Sequence, residues 1–353
     1  MLLGILAVFA QDAPRLYWTG TFGGSRSEAR GVSGDGSVVV GWTMTAGGQR
    51  RAFRWTQDEG LQDLGTLGGN LSEAYGVSRD GRVIVGISTT AQGGFSQPFR
   101  WSAETGMRPL GTLQGQGRGA SGDGSIIIAN LAISSRLVAH RWTEPGGYER
   151  LTGFPEGALD TVATCITPDG AAIAGYYRDT NNRFRPFRWR NGTVETLPTT
   201  TSGTAFGITD DGAIVVGRVE ISSPTDSRPV RWRNSQMEIL HDSLRGVALA
   251  TNRDGTLIVG SYTTPLGERA FLWSEQGGWI DLNQRYASLL GNAILFSATD
   301  ITPDGRFIVG YGLNPETNIT EGFLLDTIPE PSTLIILGFG LGAVSLWRRK
   351  APV

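Results

Sequence analysis

A short hydrophobic signature recurs along most of the chain. It consists of Asp-Gly, a run of apolar and mostly β-branched residues, and usually a closing glycine, and it returns every 42 to 50 residues. Its aspartates are Asp35, Asp80, Asp123, Asp169, Asp211, Asp254 and Asp304. Asp-Gly between apolar runs is a strong hairpin signal, because glycine readily adopts the positive φ of the turn. We therefore predict that each aspartate is a turn residue and that a buried strand follows it.

A second, aromatic signature follows the first by about 20 residues. It is Phe-Arg-Trp at residues 53–55, 99–101 and 187–189, with looser versions at 140–142, 230–232, 271–273 and 323–325. On a strand, such a triplet places the two aromatic side chains on one face and the middle residue on the other. Each period therefore holds about four short strands, and no stretch of this region has helical periodicity.

Four strands in each period of this length indicate the blades of a β-propeller. The seven copies predict an all-β, seven-bladed β-propeller over residues 15–326. The two ends carry half-repeats. Residues 15–22 look like the Leu-Gly-Thr-Leu segment that follows the first two aromatic signatures, and the last period stops at residues 323–325. We predict that a strand near Tyr17–Phe22 pairs with Phe323–Leu325 and closes the ring, leaving no open edge.

The repeats resemble the HAF family of extracellular repeats. Residues 54–86, with the sequence RWTQDEGLQDLGTLGGNLSEAYGVSRDGRVIVG, carry the resemblance best. The third copy departs from the pattern, because Ala129 replaces the closing glycine. The resemblance implies export and a propeller-like fold, and it implies no particular activity.

Both ends of the chain have the composition of targeting segments. Residues 1–10, MLLGILAVFA, have the length of a signal-peptide core, and we assign residues 1–12 to a signal-peptide remnant. At the other end, Pro329, Glu330 and Pro331 precede an uncharged apolar run over 333–347. Arg348, Arg349 and Lys350 follow that run and predict a cytoplasmic C-terminus for a transmembrane segment.

This order of Pro-Glu-Pro, apolar segment and basic cluster resembles the PEP-CTERM sorting signal, here over residues 327–353. The resemblance implies that an exosortase-type enzyme processes the tail. It also implies transient anchoring in the inner membrane before delivery to the cell surface or the extracellular matrix. Proteins with this signal belong to bacteria that make exopolysaccharide, which makes exopolysaccharide a candidate partner.

Composition restricts the chemistry of the body. The net charge of −2 gives no basic surface for nucleic acid. Cys165 is the single cysteine, so neither an intrachain disulfide nor a cysteine metal cluster is expected, and its strand-like setting favours a buried apolar role. The chain has two histidines, His140 and His241. No nucleotide-binding fingerprint or nucleophile elbow is present, and we predict no cofactor.

Two repeated polar positions are candidate sites. The turn aspartates offer too few oxygen ligands in each turn for calcium. The arginines of the aromatic signature could form a ring around the channel that binds an anion, or they could pair across blade interfaces. We favour pairing, and we predict it for Arg54, Arg100, Arg188 and Arg231.

Two functions remain open. The first is a non-enzymatic surface module that binds exopolysaccharide or a surface protein. The second is a propeller enzyme, a hydrolase or lyase, that acts on an extracellular glycan. A pair of perturbed carboxyl groups in the channel would favour the enzyme. The scarcity of histidine and cysteine favours the binding module.

Overall fold

Each Asp-Gly copy folds as a turn between two antiparallel strands. The computed structural model describes residues 13–92 and 94–327. The strands before the turns are β2 (Gly23–Val32), β6 (Gly68–Val77), β10 (Gly115–Ala120), β14 (Thr161–Ile166), β18 (Ser202–Ile208), β22 (Gly246–Thr251) and β26 (Ile294–Ile301). The strands after the turns are β3 (Val39–Thr45), β7 (Ile84–Thr90), β11 (Ile126–Ile133), β15 (Ala172–Arg178), β19 (Ile214–Glu220), β23 (Leu257–Thr264) and β27 (Phe307–Asn314).

The aromatic signature forms the third strand of each repeat. These strands are β4 (Arg50–Thr56), β8 (Ser96–Ser102), β12 (Arg136–Thr143), β16 (Phe184–Arg190), β20 (Ser227–Arg233), β24 (Gly267–Ser274) and β28 (Ile319–Asp326). Short fourth strands follow the first six of them, and they are β5 (Gly60–Asp63), β9 (Gly106–Pro109), β13 (Gly147–Arg150), β17 (Thr193–Thr196), β21 (Gln236–Ile239) and β25 (Gly278–Asp281). We number the repeats unit 1 to unit 7 in chain order.

The sheets follow the units. Units 2 to 6 each form a separate four-stranded antiparallel sheet. Units 1 and 7 share one eight-stranded sheet, in which the single parallel pair Arg26–Thr320 joins β2 to β28. The first strands touch one another in chain order, and β26 of unit 7 touches β2 of unit 1. The fold is therefore all-β and propeller-like, with the first strands innermost.

The N-terminal strand β1 (Arg15–Trp18) pairs antiparallel with β28. Its register places Tyr17 opposite Leu324 and Trp18 opposite Phe323, and the indole of Trp18 meets the ring of Phe323 edge-on at 6.3 Å. The predicted partners of this pairing are thus correct. The paired stretch is shorter than predicted, because β1 ends at Trp18.

The Leu-Gly-Thr-Leu segment of unit 1, residues 64–67, is not a strand, although its likeness to residues 15–22 underlies our prediction of a strand near Tyr17–Phe22. It lies directly after the fourth strand, where Gly65 has a φ of 77° and accepts a 2.6 Å hydrogen bond from the Ser72 hydroxyl through its carbonyl oxygen. The segment after β1 repeats this geometry, with Gly20 at a φ of 76° and a 2.7 Å bond from Ser27. By this equivalence β1 occupies the fourth-strand position of unit 7.

One side-chain hydroxyl or amide stabilises the turn of each signature through hydrogen bonds. In unit 3, the Ser121 hydroxyl donates to Asp123 at 2.8 Å and accepts from the Ile126 amide at 2.9 Å. Asp123 also accepts from the Ser125 amide at 3.0 Å, and Gly124 has a φ of 70°. The residues equivalent to Ser121 are Ser33, Ser78, Thr167, Thr209, Asn252 and Thr302. Hydrogen bonding within the turn thus occupies the aspartate.

The closing glycine allows close packing between the first and second strands. A Cβ atom on Gly41 would lie 1.9 Å from the carbonyl oxygen of Glu28, and the ring of Phe53 covers it. Its strand partner is Ala29, and the same alanine–glycine pair recurs in every unit except unit 3. In unit 3 the pair is reversed, with Gly117 opposite Ala129. The departure of the third copy therefore preserves the total size of the pair.

The aromatic signature supplies the core. Phe53, Phe99, Phe187, Phe271 and Phe323 are fully buried. Two residues later, Trp55, Trp101, Trp189 and Trp273 pack in clusters that include residues of the preceding unit. Two one-turn helices, α1 (Leu282–Arg285) and α2 (Ala287–Leu290), lie between units 6 and 7. Sequence periodicity did not reveal them because each is only one turn long, and they account for the 50-residue spacing at this point.

Candidate functional site

Every first strand contains a β-bulge at the same position. The register of its pairing with the second strand shifts across one residue, which follows the small residue of the alanine–glycine pair. A bulge bends the strand and re-aims the extra side chain. We call the seven bulge residues the collar. They are Arg30, Tyr75, Arg118, Thr164, Phe206, Leu249 and Thr299.

The collar surrounds the centre of the molecule. All of its residues line a cavity of about 250 Å³ that extends toward the Asp-Gly turns. All of them also line a second cavity of about 350 Å³ that extends toward the opposite face. The two cavities form a central channel with the collar at its middle. The innermost strands therefore supply a site to which every unit contributes one side chain.

One side of the collar is cationic and aromatic. The Tyr75 ring lies between two guanidinium groups, with the Cζ atom of Arg30 5.9 Å and that of Arg118 4.7 Å from its centroid. The Tyr75 hydroxyl donates to Glu73 at 3.0 Å. Burial, together with the nearby Glu73 carboxylate, raises the pKa of Tyr75 to about 12. Tyr75 is therefore a neutral hydrogen-bond donor at physiological pH.

Arg118 is a cation without an acidic partner. Its guanidinium group lies over the Tyr75 ring and takes part in no ion pair or side-chain hydrogen bond in the described part of the chain. Burial lowers the pKa of Arg118. Arg30 pairs with Glu28 at 2.7 Å, but its buried Nε has no hydrogen-bond partner. This side of the channel therefore presents guanidinium donors that lack acceptors, which is costly unless an anion or water supplies them.

The other side of the collar is apolar. Phe206 and Leu249 face the channel next to each other in units 5 and 6. The flanking threonines use their hydroxyls between units: Thr164 donates to Ala205 at 2.9 Å and Thr299 donates to Ala29 at 2.9 Å. These hydroxyls stabilise the ring of first strands, so the apolar surface comes mainly from Phe206 and Leu249.

The turn-side mouth of the channel is narrow. The residues just before the turn aspartates join neighbouring units through backbone hydrogen bonds of 2.7 to 3.2 Å. Three of these residues carry long or charged side chains. Arg79 of unit 2 forms a two-pronged ion pair with Asp210 of unit 5, and Arg253 of unit 6 approaches the same carboxylate at 3.3 Å. The pair thus crosses the mouth between units that are not neighbours.

A single acidic side chain follows the collar in unit 7. Asp300 accepts hydrogen bonds from the amides of Val32 at 3.0 Å and Ile301 at 2.9 Å. Burial raises the pKa of Asp300 to about 6, although these amides and the charge of Arg79 oppose the rise. Cys165 lines the same cavity, half-buried rather than fully buried, and burial raises the pKa of its thiol to about 12. The thiol is therefore unreactive at physiological pH.

The arginines of the aromatic signature lie on third strands and line neither cavity of the channel, so the anion-ring alternative for them is wrong. Arg188 pairs with Glu195 and donates across the unit interface to Gly212 at 2.8 Å. Arg231 pairs with Glu238 and with Glu275 of the next unit. These two behave as predicted.

The other two arginines of the prediction, Arg54 and Arg100, do not form an ion pair across a unit interface. Arg54 pairs with Glu59 inside its own hairpin, because that acidic side chain lies in the adjacent turn. Arg100 takes part in no ion pair within residues 13–92 and 94–327, since no acidic residue occupies the equivalent fourth-strand position, which is Arg108. Arg141 lies over the ring of Trp189 in the next unit at 5.6 Å.

The predicted turn aspartates do not converge. Among the described residues there is no group of three His, Cys, Asp or Glu side chains that could hold a metal ion. His140 donates through Nδ1–H to the Val138 carbonyl at 2.9 Å, and burial lowers the pKa of its imidazole. His241 accepts from the amides of Ser243 and Leu244. Both histidines thus have local structural roles.

We did not predict the collar, although its residues occur at a fixed spacing in the sequence. Its residues follow a small residue and precede the turn by a fixed number of positions, as in EARGVSGDG and EAYGVSRDG. Such a position looks like any variable strand residue until the bulge is known. Alignment of the seven copies on their turns would have placed these residues in one column.

The two terminal assignments lie outside the described residues. They are the signal-peptide remnant over 1–12 and the tail with Pro329, Glu330, Pro331, the apolar run over 333–347, Arg348, Arg349 and Lys350. The described part of the chain contains no helix long and apolar enough to cross a membrane.

The PEP-CTERM protein-sorting motif matches residues 327–350. This chain carries a PEP-CTERM sorting signal. The signal implies export, membrane anchoring and exosortase processing in general. The body therefore acts outside the cytoplasm. No curated protein matches the chain in sequence, and the HAF resemblance of the body stays a prediction.

Solved structures resemble the body in fold. The β-propeller domain of the trilobed protease from Pyrococcus furiosus is 10% identical, with a TM-score of 0.60 over 86% of this chain and 93% of that one. Oligogalacturonate lyase from Vibrio parahaemolyticus is 13% identical, with a TM-score of 0.57 over 88% and 93%. TolB from Acinetobacter baumannii is 14% identical with a TM-score of 0.49, and the match covers 74% of this chain and 63% of TolB. At their identities, the likeness to the protease domain and to the lyase shows the propeller-like fold alone.

Proposed function

We propose that this protein is an exported, surface- or matrix-associated binding module without catalytic activity, and that its channel binds an acidic exopolysaccharide. The observation that carries the proposal is Arg118, a guanidinium at the centre of the molecule with no acidic partner among the described residues. After export, an exosortase-type enzyme processes the tail and releases the body from the inner membrane to the surface or the matrix.

The proposal rests on one architecture, a closed seven-bladed propeller. Three observations support it. Each of the seven units has the same bulge and the same turn between its first and second strands. The innermost strands contact one another in a cycle, and β1 occupies the fourth-strand position of unit 7. In this reading the eight-stranded sheet is two adjoining blades, since only one residue pair joins its halves.

The charge of the collar fits an anion. The collar itself contains two arginines, Arg30 and Arg118, and no acidic residue. Glu28 pairs with Arg30, whereas Arg118 has no acidic partner among the described residues, which leaves one uncompensated positive charge in the collar. A guanidinium binds a carboxylate through two parallel hydrogen bonds, which are among the stronger contacts available to a protein. A uronic acid residue carries such a carboxylate.

The shape of the collar fits a sugar. The apolar side chains of Phe206 and Leu249 lie across the channel from the arginines. A pyranose ring has apolar C–H faces and polar edges, so it suits a site with donors on one side and apolar surface on the other. The cavities of about 250 and 350 Å³ have room for one to two sugar residues. The ligand class we propose is therefore a uronic acid unit of a glycan.

Calorimetry with the full chain in detergent and oligogalacturonate, with a neutral glucan of equal length as the comparison, tests the proposal. We expect binding of the acidic oligosaccharide alone. Arg118→Ala should weaken it about tenfold or more, because a charge-assisted hydrogen bond contributes about 1.5–3 kcal/mol. Arg82→Ala is the matched control, since this arginine is 85% exposed on the turn face. Equal binding by Arg118→Ala and the unchanged chain would refute the proposal.

One observation favours the alternative, a glycan-active enzyme. Asp300 lines the channel with its pKa raised to about 6, the range of a general acid. The same oligosaccharides should be checked for cleavage by mass spectrometry over several days. Products that form with the unchanged chain and are lost in Asp300→Asn would establish an enzyme in place of a binding module.

A further inference from the structure

The two mouths of the channel differ in how charged side chains meet there. At the turn face, the Arg79–Asp210 pair joins units 2 and 5, so it spans the opening, and Arg253 adds a third side chain. The other members of this ring of residues are Gly34, Gly122, Pro168 and Pro303, which have no long side chain. The only long side chains of this ring thus meet over the axis.

At the opposite face, the polar contacts run along the wall. Arg26 pairs with Glu28 within β2 and lies over the ring of Tyr311 of the adjoining unit 7. The Tyr311 hydroxyl donates to Glu268 of unit 6 at 3.4 Å, and burial raises the pKa of Tyr311 to about 12. Each of these contacts joins neighbouring units or lies within one strand. None of them crosses the axis.

The sorting signal begins at the turn face, where the Arg79–Asp210 pair crosses the mouth of the channel. Strand β28 runs from the hairpin after β27 toward the turn face, and the amide of Thr327 donates to the Arg306 carbonyl beside the Asp304 turn at 2.9 Å. The matched motif begins at this residue. The described chain therefore ends at the turn face, and the mouth without the ion pair, which we call the outward mouth, opens on the opposite face.

From these observations we infer that the channel is a blind pocket for the end of a glycan chain. The inference rests on the proposed function. A chain that enters through the outward mouth meets the cationic side of the collar at mid-channel and then the Arg79–Asp210 pair, so it cannot thread through. The terminal uronic acid residue occupies the collar, and the remainder of the glycan extends outward into the matrix. The protein thereby binds glycans by their ends.

Chain ends and chain interiors can be separated by titration. Oligogalacturonates of three lengths are titrated into the full chain at equal total uronic acid. End recognition predicts that binding capacity follows the number of chains, and that oxidising or reducing the terminal residue weakens binding at least tenfold. Capacity that follows total uronic acid, with no effect of the modified ends, would overturn the inference. Free galacturonate is the reference: if neither it nor any chain binds, the proposed function fails as well.

The ion pair itself can be removed without changing the net charge. The double variant Arg79→Ala, Asp210→Ala should keep its affinity for free galacturonate, which shows that the collar is intact. With the turn-side mouth unbarred, it should bind end-modified chains within threefold of unmodified ones. If this variant still rejects end-modified chains while binding galacturonate normally, the pair is not the stop, and the blind-pocket inference is wrong.

Discussion

The turns and the collar lie at the two ends of the same short stretch of chain. The turn residues are nearly the same in every unit, whereas the collar residue differs from unit to unit. In all units the turn has a hydroxyl or amide side chain, then an aspartate two residues later, then glycine. The collar position is arginine, tyrosine, threonine, phenylalanine or leucine. A turn must satisfy the same backbone groups in every unit, whereas a collar side chain meets the channel. The binding chemistry that we propose therefore lies where the repeats differ.

We call the strands and turns that all units share the framework. Removal of β1 should have the largest effect on the stability of this framework. Deleting residues 13–20 takes Leu16 and Trp18 from the core near Phe323 and leaves β28 with an open edge. We expect the free energy of unfolding to fall by about 3–5 kcal/mol. Thermal denaturation measures this. Leu266→Ala is the control, because this side chain is 84% exposed. An unchanged melting temperature after the deletion would contradict closure by β1.

The alanine–glycine pair offers a sharper test of the framework. In Gly217→Ala, the new Cβ atom would lie 2.0 Å from the carbonyl oxygen of Thr204, so the strands must separate. We expect a loss of about 3 kcal/mol in chemical denaturation. The reciprocal change Ala129→Gly adds space where the pair is reversed and should cost only about 1 kcal/mol. Similar losses in both variants would show that pair size does not matter.

Asp300 lies between the framework and the collar, and it should make stability depend on pH. Its pKa is about 6 when folded and near the ordinary value of 3.8 when unfolded. Folding therefore disfavours its charged form, so this carboxyl lowers stability as pH rises from about 4 to 6. We expect a loss of roughly 2 kcal/mol across that interval.

Asp300→Asn is the variant that isolates this effect. It should remove that part of the pH dependence and raise stability at pH 8, because an amide oxygen can still accept from the Val32 amide. Urea denaturation at pH 4, 6 and 8 provides the measurement. A variant with the same pH profile as the unchanged chain would assign the dependence to another group.

Arg118 should matter least for stability. A cation without an acidic partner contributes little to the stability of the fold. Arg118→Met should therefore change the free energy of unfolding by less than about 1 kcal/mol. The same variant should lose binding of the acidic oligosaccharide. A large loss of stability on this substitution would mean that the collar belongs to the framework, and the contrast between turns and collar would then fail.

Sequence periodicity was sufficient for the strands because the same local rules act in each unit. The Asp-Gly turns, the buried Val and Ile runs and the aromatic third strands all follow from residues close in the chain. The partners of β1 were predictable for the same reason, because half-repeats such as residues 15–22 and 323–325 complement each other. The helices α1 and α2 were not, since one turn of helix has no period to detect.

The candidate site depended on contacts distant in sequence. Arg118 and Tyr75 are 43 residues apart, and only the packing of units 2 and 3 brings them together. The Arg79–Asp210 pair spans 131 residues. Conversely, the arginines of the third strands recur visibly in the sequence, but Glu195 and Glu238 on the fourth strands neutralise two of them. Regular repetition drew attention to residues that have structural roles.

The pairing of β1 with β28 also determines when the body can finish folding. We expect the predicted signal at the N-terminus to direct that end across the inner membrane first, so that β1 arrives early and waits for a partner some 300 residues behind it. Until Asp326 has crossed, β1 lacks its partner strand β28, and in the proposed closed propeller both edges of the ring would stay open to pairing with other chains. The sorting signal follows the partner strand directly, so completion of the ring and arrival of the anchor at the membrane are nearly one event. Secretion thus delivers a domain that becomes whole only as its last strand emerges.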